Sequence, residues 1–306
     1  MRFSLGDDRI EFADAVRRAL TDGCTPKVVR AAWDGDLDPT IWSTLVDMGT
    51  TDPELDWLTR VAVAEEVGRA ALPHPWVESA FVCGPLLGEA VFASTDAGTS
   101  PFVPGGADVD VLVLTGIDGL EVVEPGNAEL RAVDAVDGSR RLVEIPNWTD
   151  GRAVTPAFDV DLAGALGTAA VLVGLGQHLL DTTVAYVSER EQFGQPVGGF
   201  QAVKHHLANA AKDLAFARPL VHRAAHRLDT LDPGDTDTAR DIHTAKALAS
   251  DAATLTAEIA LQCHGAIGYT VEYDLHLWLK RVWALSRAWG DAASHRAEVA
   301  ELLGVS

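Results

Sequence analysis

The chain is short of positive charge, short of cysteine, and without an apolar run long enough to cross a bilayer. Lys and Arg number 24 against 45 Asp and Glu, a formal net charge of -21 at pH 7. A surface that follows a phosphate backbone needs clustered Lys and Arg, so nucleic acid is not an expected partner. The acidic residues form no block, which reads as a dispersed, solvating surface. Cys24, Cys83 and Cys263 are odd in number, far apart and at no disulfide or metal spacing, so free thiols in a reducing compartment are expected. The most apolar run, Ala169 to Leu175, is far shorter than a membrane span. Asp7-Asp8 precede any apolar run, so neither a signal peptide nor a membrane partner is expected, and the chain reads as cytoplasmic.

What is present is an ordinary globular composition, 47% hydrophobic and 23% charged over 306 residues. That is enough chain for a full core in two or three domains. The fold class expected is mainly α with a small β domain. Residues 1–91 read as an N-terminal helical domain. Ile10, Ala13, Val16 and Leu20 recur at helical spacing, and Asp38-Pro39 is a cap followed by proline at a first helical position. Thr51-Asp52-Pro53-Glu54 repeats that signature before a helix to about Ala71. Residues 92–152 change texture: Val109 to Leu114, Leu120 to Val123, Glu129 to Val133 and Arg140 to Ile145 are short runs divided by turns. They predict a small antiparallel β unit.

Residues 153–306 predict a four-helix bundle. Leu162, Leu166, Ala169, Val173, Gly176, Leu180, Thr183 and Val187 form a first stripe. Val203, Leu207, Ala210, Leu214 and Val221 form a second, with Pro219 inside it. Ile242, Ala245, Leu248, Ala252, Leu255 and Ile259 form a third, ended by Gly265. Asp232-Pro233-Gly234-Asp235 reads as the turn and cap before the third, Asp274 as the cap of a fourth helix, and Asp291 as the cap of a terminal one.

Several candidate sites have simpler readings. Gly174-Leu175-Gly176 lacks the third glycine of a dinucleotide loop, and the apolar stripe runs through it; small residues for close helix packing explain it. His222 and His226 stand at i, i+4, but no acidic or cysteine partner completes a metal shell, so these and His205-His206 read as solvated helix residues. Glu272, Asp274 and His276 read as loop anchors. Arg190 is more open. It closes a helix and is followed by Gln192, Phe193, Gly194 and Pro196. A guanidinium, an amide and an aromatic face on one rigid turn suit a phosphate and a stacked base, whereas an arginine that satisfies helix C-terminal carbonyls is the plain alternative.

Tyr186…Arg190-Glu191-Gln192-Phe193-Gly194-Gln195-Pro196…Phe200-Gln201-Ala202-Val203 resembles the flavin-adenine turn of the acyl-CoA dehydrogenases. Gln262-Cys263-His264-Gly265-Ala266-Ile267-Gly268-Tyr269 is similar to the same family's second glycine motif, in which a glycine commonly stands at the Ala266 position. Glu65-Glu66-Val67-Gly68-Arg69-Ala70 with Glu78-Ser79-Ala80 resembles its N-terminal domain. The resemblance implies FAD as cofactor, held at its adenine and pyrophosphate end by Arg190, Gln192, Phe193, Gln201, Gln262, Gly265 and Ala266. It implies removal of a Cα proton from an acyl-CoA by a carboxylate, hydride transfer from Cβ to the flavin, and an electron-transfer flavoprotein as acceptor.

The chain departs from that family in two places. The usual positions of the catalytic glutamate fall on Trp289 and on Gly164, so no catalytic residue is expected. Asp159 and Asp161 lie near the second position but read as N-caps. Loops that cradle the flavin ring have no counterpart between Leu87 and Asn147. This pattern resembles the short subunit of the actinobacterial heterotetrameric enzymes, several of which act on steroid side-chain CoA thioesters. It implies a full-length acyl-CoA dehydrogenase partner in an α2β2 assembly, with the acyl-CoA substrate in the partner's site. A flavin-free homo-oligomeric scaffold or acyl-CoA-binding protein is the alternative, and an active homo-oligomer that uses Asp159 or Asp161 as base is the third.

Overall fold

The computed structural model describes residues 5–96, 101–230 and 235–305. Five helical segments come first: α1 (Asp7–Gly23), α2 (Pro26–Trp33), α3 (Pro39–Asp47), α4 (Trp57–Ala70), and a π-helical turn, Glu78–Cys83, that continues into α5 (Gly84–Leu87). Asp38 caps α3 through Thr40 N as its sequence predicts. The start of α4 lies later than expected. Asp52 closes a turn through Glu54 N, and Asp56 is the residue whose side chain accepts from Thr59 N. The Asp-Pro signature there makes a turn because Asp56, four residues on, offers a cap directly before the apolar run.

The β region holds β1 (Ala93–Thr95), β2 (Phe102–Val103), β3 (Val111–Gly116), β4 (Gly119–Val123), β5 (Arg131–Ala132), β6 (Val143–Glu144) and β7 (Arg152–Val154). They form one sheet of order β1-β3-β4-β7 and another of order β2-β6-β5. Pairing is antiparallel except for β1 with β3, which is parallel. The run before Val109 therefore contributes strands that the expected antiparallel unit lacked. Val103, Leu112, Leu114, Val123 and Val143 form its separate small core.

The bundle follows: α6 (Val160–Glu189), a hairpin of β8 (Glu191–Gln192) and β9 (Gln195–Pro196), α7 (Gln201–Thr230), α8 (Thr236–His264), α9 (Leu275–Leu285) and α10 (Ala292–Leu302). Asp159, Asp235 and Asp291 cap α6, α8 and α10 through their side chains. Residues 232–234 of the predicted turn lie outside the described residues. Asp274 stands at the start of α9 without capping it, because its carboxylate is taken by Arg30 at 2.6 Å.

The stripes are right for most positions, but α6 is buried on all sides from Ala163 to Gly176, and Leu248 of α8 faces outward at 38% exposure. α4 supplies the extra cover. A Cβ on Gly68 would run into the Val171 carbonyl, and one on Gly174 into the Glu65 carbonyl. The two helices thus touch backbone to backbone, and the glycine pair at 174 and 176 is a packing feature. By length and composition α6 could cross a membrane, but 78% of its apolar window is buried inside the protein. One continuous core runs through the N-terminal helices and the bundle.

Arg281 of α9 fastens these parts together. Its guanidinium pairs with Asp137, donates to the Leu72 carbonyl and to Ser139 Oγ at 2.6 Å each, and is buried. Asp137 and Ser139 belong to the β region, and Leu72 lies just past the end of α4. Arg281→Ala leaves a buried carboxylate without its cation and should cost about 3–5 kcal/mol in unfolding free energy. Urea denaturation measures the loss, and amide exchange should quicken first in the β region.

Candidate functional site

α6 and α8 run in the same direction with α7 reversing between them, so the hairpin after α6 and the turn after α8 share one end of the bundle. A ring stack joins them. Tyr186, in the last turn of α6, lies on His264 with centroids 4.3 Å apart and planes at 18°, and Tyr273 tilts against both. His264 is buried and its Nδ1 donates to the Ala260 carbonyl at 2.8 Å. The motif residues His264 and Tyr186 are therefore the contact between the two turns.

Arg190 ends α6. Its backbone N–H donates to the Tyr186 carbonyl, and its own carbonyl accepts from Val197 N at 2.7 Å, closing the hairpin. Its side chain is exposed and makes no hydrogen bond or ion pair among the described residues. The helix-end carbonyls are thus not what it serves. Glu191 pairs with Pro196 and Gln192 with Gln195, which leaves Phe193 and Gly194 as a two-residue loop with φ of 54° and 79°. Left-handed backbone at both positions is the hairpin geometry that favours Asn-Gly. A bulky residue at the first costs on the order of 1 kcal/mol, a strain that accumulates where a side chain must be presented. Phe193 is 93% exposed, with Phe200 edge-on to it at 6.2 Å.

The remaining expected residues stand at the same end. Gln192 Nε2 donates to its neighbour's carbonyl, and Gln201 Nε2 lies 3.3 Å from His205. Gln262 and Ala266 are exposed. Gly265 has φ 62° and ψ -140°, a conformation reserved to glycine, with nothing within 4 Å of where a Cβ would stand. Backbone there is open to close approach by a ligand. A guanidinium, an exposed aromatic, three amides and bare glycine backbone fit the adenosine and pyrophosphate end of a dinucleotide.

Trp289 and Gly164 meet in the structure. The Trp289 indole covers the Gly164 Cα so closely that a Cβ there would overlap the ring. Trp289 is buried and sits at φ 57°, followed by Gly290 at φ 90°. It lines a small cleft together with Glu78. Glu78 stands on the π-helical turn, is buried, and has its carboxyl pushed up by burial. Beneath the turn, His295 Nε2 donates to the Trp289 carbonyl at 2.8 Å, and Lys246 Nζ donates to the Gly290 carbonyl at 2.8 Å. Asp159 spends its carboxylate on the N–H groups of Asp161 and Leu162.

One other reading changes. His222 is not solvated: it donates to Glu65 at 2.7 Å beside Arg218, which reaches the same carboxylate at 2.6 Å. No metal-holding cluster occurs among the described residues. Glu78, Lys246 and His295 were missed as site residues. The one available signal was a carboxylate, Glu78, set in the apolar stretch from Trp76 to Cys83.

Residues 162–304 match the acyl-CoA dehydrogenase C-terminal domain. That stretch is the bundle, and it is there that the chain resembles the acyl-CoA dehydrogenases. Its similarity to the family extends beyond the bundle. The chain is 29% identical to acyl-CoA dehydrogenase IpdE2 of Mycolicibacterium smegmatis over 304 residues, covering 90% of this chain and 93% of the relative. Two solved structures share the fold: the Tcur3481-Tcur3483 steroid ACAD G363A variant, with a TM-score of 0.84 at 22% identity over 98% of this chain and 99% of that one, and the ChsE4-ChsE5 complex of Mycobacterium tuberculosis, with 0.85 at 19% identity over the full length of both. The fold shared with these structures, helices then a small β region then a bundle, is the one that the sequence implied.

The contact between Trp289 and Gly164 is measurable by a double-mutant cycle. Gly164→Ala should cost about 1–3 kcal/mol through overlap with the indole, and most of that cost should vanish in a Trp289→Ala background. Lys246 offers a second test. Burial lowers its ammonium from 10.5 to about 7. Between those values the unfolded chain binds more protons than the folded one, so stability rises with pH across that window. Lys246→Met should flatten the rise, read from urea midpoints.

Proposed function

We propose that this chain is the non-catalytic subunit of an FAD-dependent, heterotetrameric acyl-CoA dehydrogenase. It would supply the adenine and pyrophosphate wall to a full-length partner that carries the base. The observation that carries this reading is the Trp289 indole packed on Gly164. Both positions at which the family places its glutamate face each other, and the space between them is filled by an aromatic ring. The opposite end of the bundle is in the contrary state. Arg190 stands unpaired and Phe193 is exposed on a strained hairpin, as if awaiting a ligand and a second surface.

In this division of labour Arg190 neutralises the pyrophosphate, Phe193 covers the adenine, and Gln192, Gln201 and Gln262 orient the adenosine. Gly265 and Ala266 admit the dinucleotide against bare backbone. The Tyr186–His264 stack keeps the two turns in register. FAD held by these residues would supply the hydride acceptor for Cβ of the acyl-CoA, with an electron-transfer flavoprotein as the destination of the electrons. A steroid-derived CoA thioester is the substrate class favoured, in keeping with the printed names of the relatives, a steroid ACAD and a two-component complex among them. A reducing cytoplasm suits three unpaired thiols.

The test is expression of the chain alone and together with a full-length acyl-CoA dehydrogenase encoded beside it. Flavin absorbance is then read against molar mass. A colourless chain alone and a yellow tetramer together is the expected result, and Arg190→Ala should lower flavin retention in that tetramer while leaving the far-UV spectrum of the chain unchanged. A yellow chain alone would give the lead to an active homo-oligomer. A tetramer whose flavin content ignores Arg190→Ala would remove the pyrophosphate assignment and favour the scaffold.

A further inference from the structure

The segment that follows the Gly265 turn is held from outside the bundle. Arg30 and Trp33 stand at i, i+3 on α2 and so share a face. Arg30 Nε and Nη2 donate to Asp274 Oδ1 at 2.8 and 2.6 Å, and its Nη1 donates to the Val271 carbonyl at 2.7 Å. Trp33 stands edge-on to His276 with centroids 5.6 Å apart, and Lys280 Nζ lies 4.5 Å over its ring. His276 in turn donates through Nδ1 to the Tyr273 carbonyl at 2.9 Å. One short helix of the N-terminal region therefore grips residues 271–276 at a carbonyl, a carboxylate and a ring.

Tyr273 lies inside that grip, and its own ring stands 5.3 Å from His264 and 6.3 Å from Tyr186. Its neighbours are loosely placed otherwise: Val271 is 67% exposed, Glu272 is exposed, and Asp274 does not cap α9. Global stability is not what the Arg30 grip supplies. The Arg30 and Asp274 side chains are 36% and 45% exposed, and ion pairs so open to water add little to it. A planar fork on two acceptors supplies direction instead, because it reaches both in one orientation only.

We propose that Arg30 is a positioning residue for the flavin site. By fixing Val271 and Asp274 it keeps Tyr273 against His264, and so keeps the Gly265 turn and the Arg190 hairpin at the spacing that one dinucleotide spans. In this role Arg30 acts through Tyr273 and not on the ligand. The inference rests on the reading of the Arg190 end as the adenine and pyrophosphate wall, and it makes α2 a working part of that wall.

Two measurements test it: amide exchange in the flavin-free chain, and FAD affinity of the tetramer with the full-length partner. In Arg30→Ala the amides of residues 267–273 should exchange about tenfold faster while those of α6 stay as they were. FAD should bind that tetramer about three- to tenfold more weakly. Arg30→Lys keeps the charge without the fork, and should fall between. Asp274→Asn separates positioning from charge. It removes a negative charge near an anionic cofactor, so a through-space effect would tighten FAD, whereas loss of the grip loosens it; looser binding is expected. Exchange left unchanged in both Arg30→Ala and Asp274→Asn would overturn the clamp, as would tighter FAD in Asp274→Asn. Faster exchange throughout the chain, in step with a fallen urea midpoint, would mean a merely structural role and overturn it too. Flavin lost in Arg190→Ala but kept in Arg30→Ala would end the positioning role and leave the wall standing. Flavin content indifferent to both would remove the wall, and the positioning role with it.

Discussion

One buried guanidinium holds the parts of this protein in a common frame. Arg281 reaches from the bundle to Asp137 and Ser139 of the β region and to the Leu72 carbonyl of the N-terminal helices. A hydrophobic contact would tolerate sliding, whereas a planar fork with three acceptors in fixed directions does not. The β region has only a small core of its own, and a unit of that size gains little from folding alone. Arg281 therefore fixes its direction against the bundle, alongside Ala93 and Val113, which enter the main core.

The helices depend on a second constraint, the approach of α4 to α6. Gly68 and Gly174 let two backbones meet, each lying against a carbonyl of the other helix. The consequence is a central helix buried on every side from Ala163 to Gly176, which is why α6 reads as a candidate membrane span by composition while serving as the axle of the bundle. The same closeness brings Glu65 and Glu66, on α4, to the bundle and the first helix. Glu65 is satisfied there by Arg218 and His222 of α7, and Glu66 by Arg17.

The two ends of the functional region differ in physical state. At the α6 and α8 C-termini, side chains of high binding value are left in solvent: a free guanidinium, an aromatic ring held out by left-handed backbone, and glycine backbone with open space before it. At the end of α9, the space is closed by an indole that also uses left-handed backbone, and is supported from below by Lys246 and His295. Strain is present in both, exposing a ring at one end and burying one at the other.

Much of this was legible in the chain itself. Capping aspartates at 38, 159, 235 and 291, the apolar stripes, and the glycine-marked turns are local in origin, because helix ends and left-handed turns are decided by a few neighbouring residues. The Arg190 turn and the Gln262 to Tyr269 turn could be recognised for the same reason, as could the substitutions at 164 and 289. The start of α4 was misplaced because two local signals competed and the later aspartate won. What only the tertiary structure decided is which distant residues meet: Tyr186 on His264, Trp289 on Gly164 and beside Glu78, Glu65 with His222, and Arg281 across three regions. Such contacts depend on the mutual rotation and approach of whole helices, which no spacing within one helix encodes.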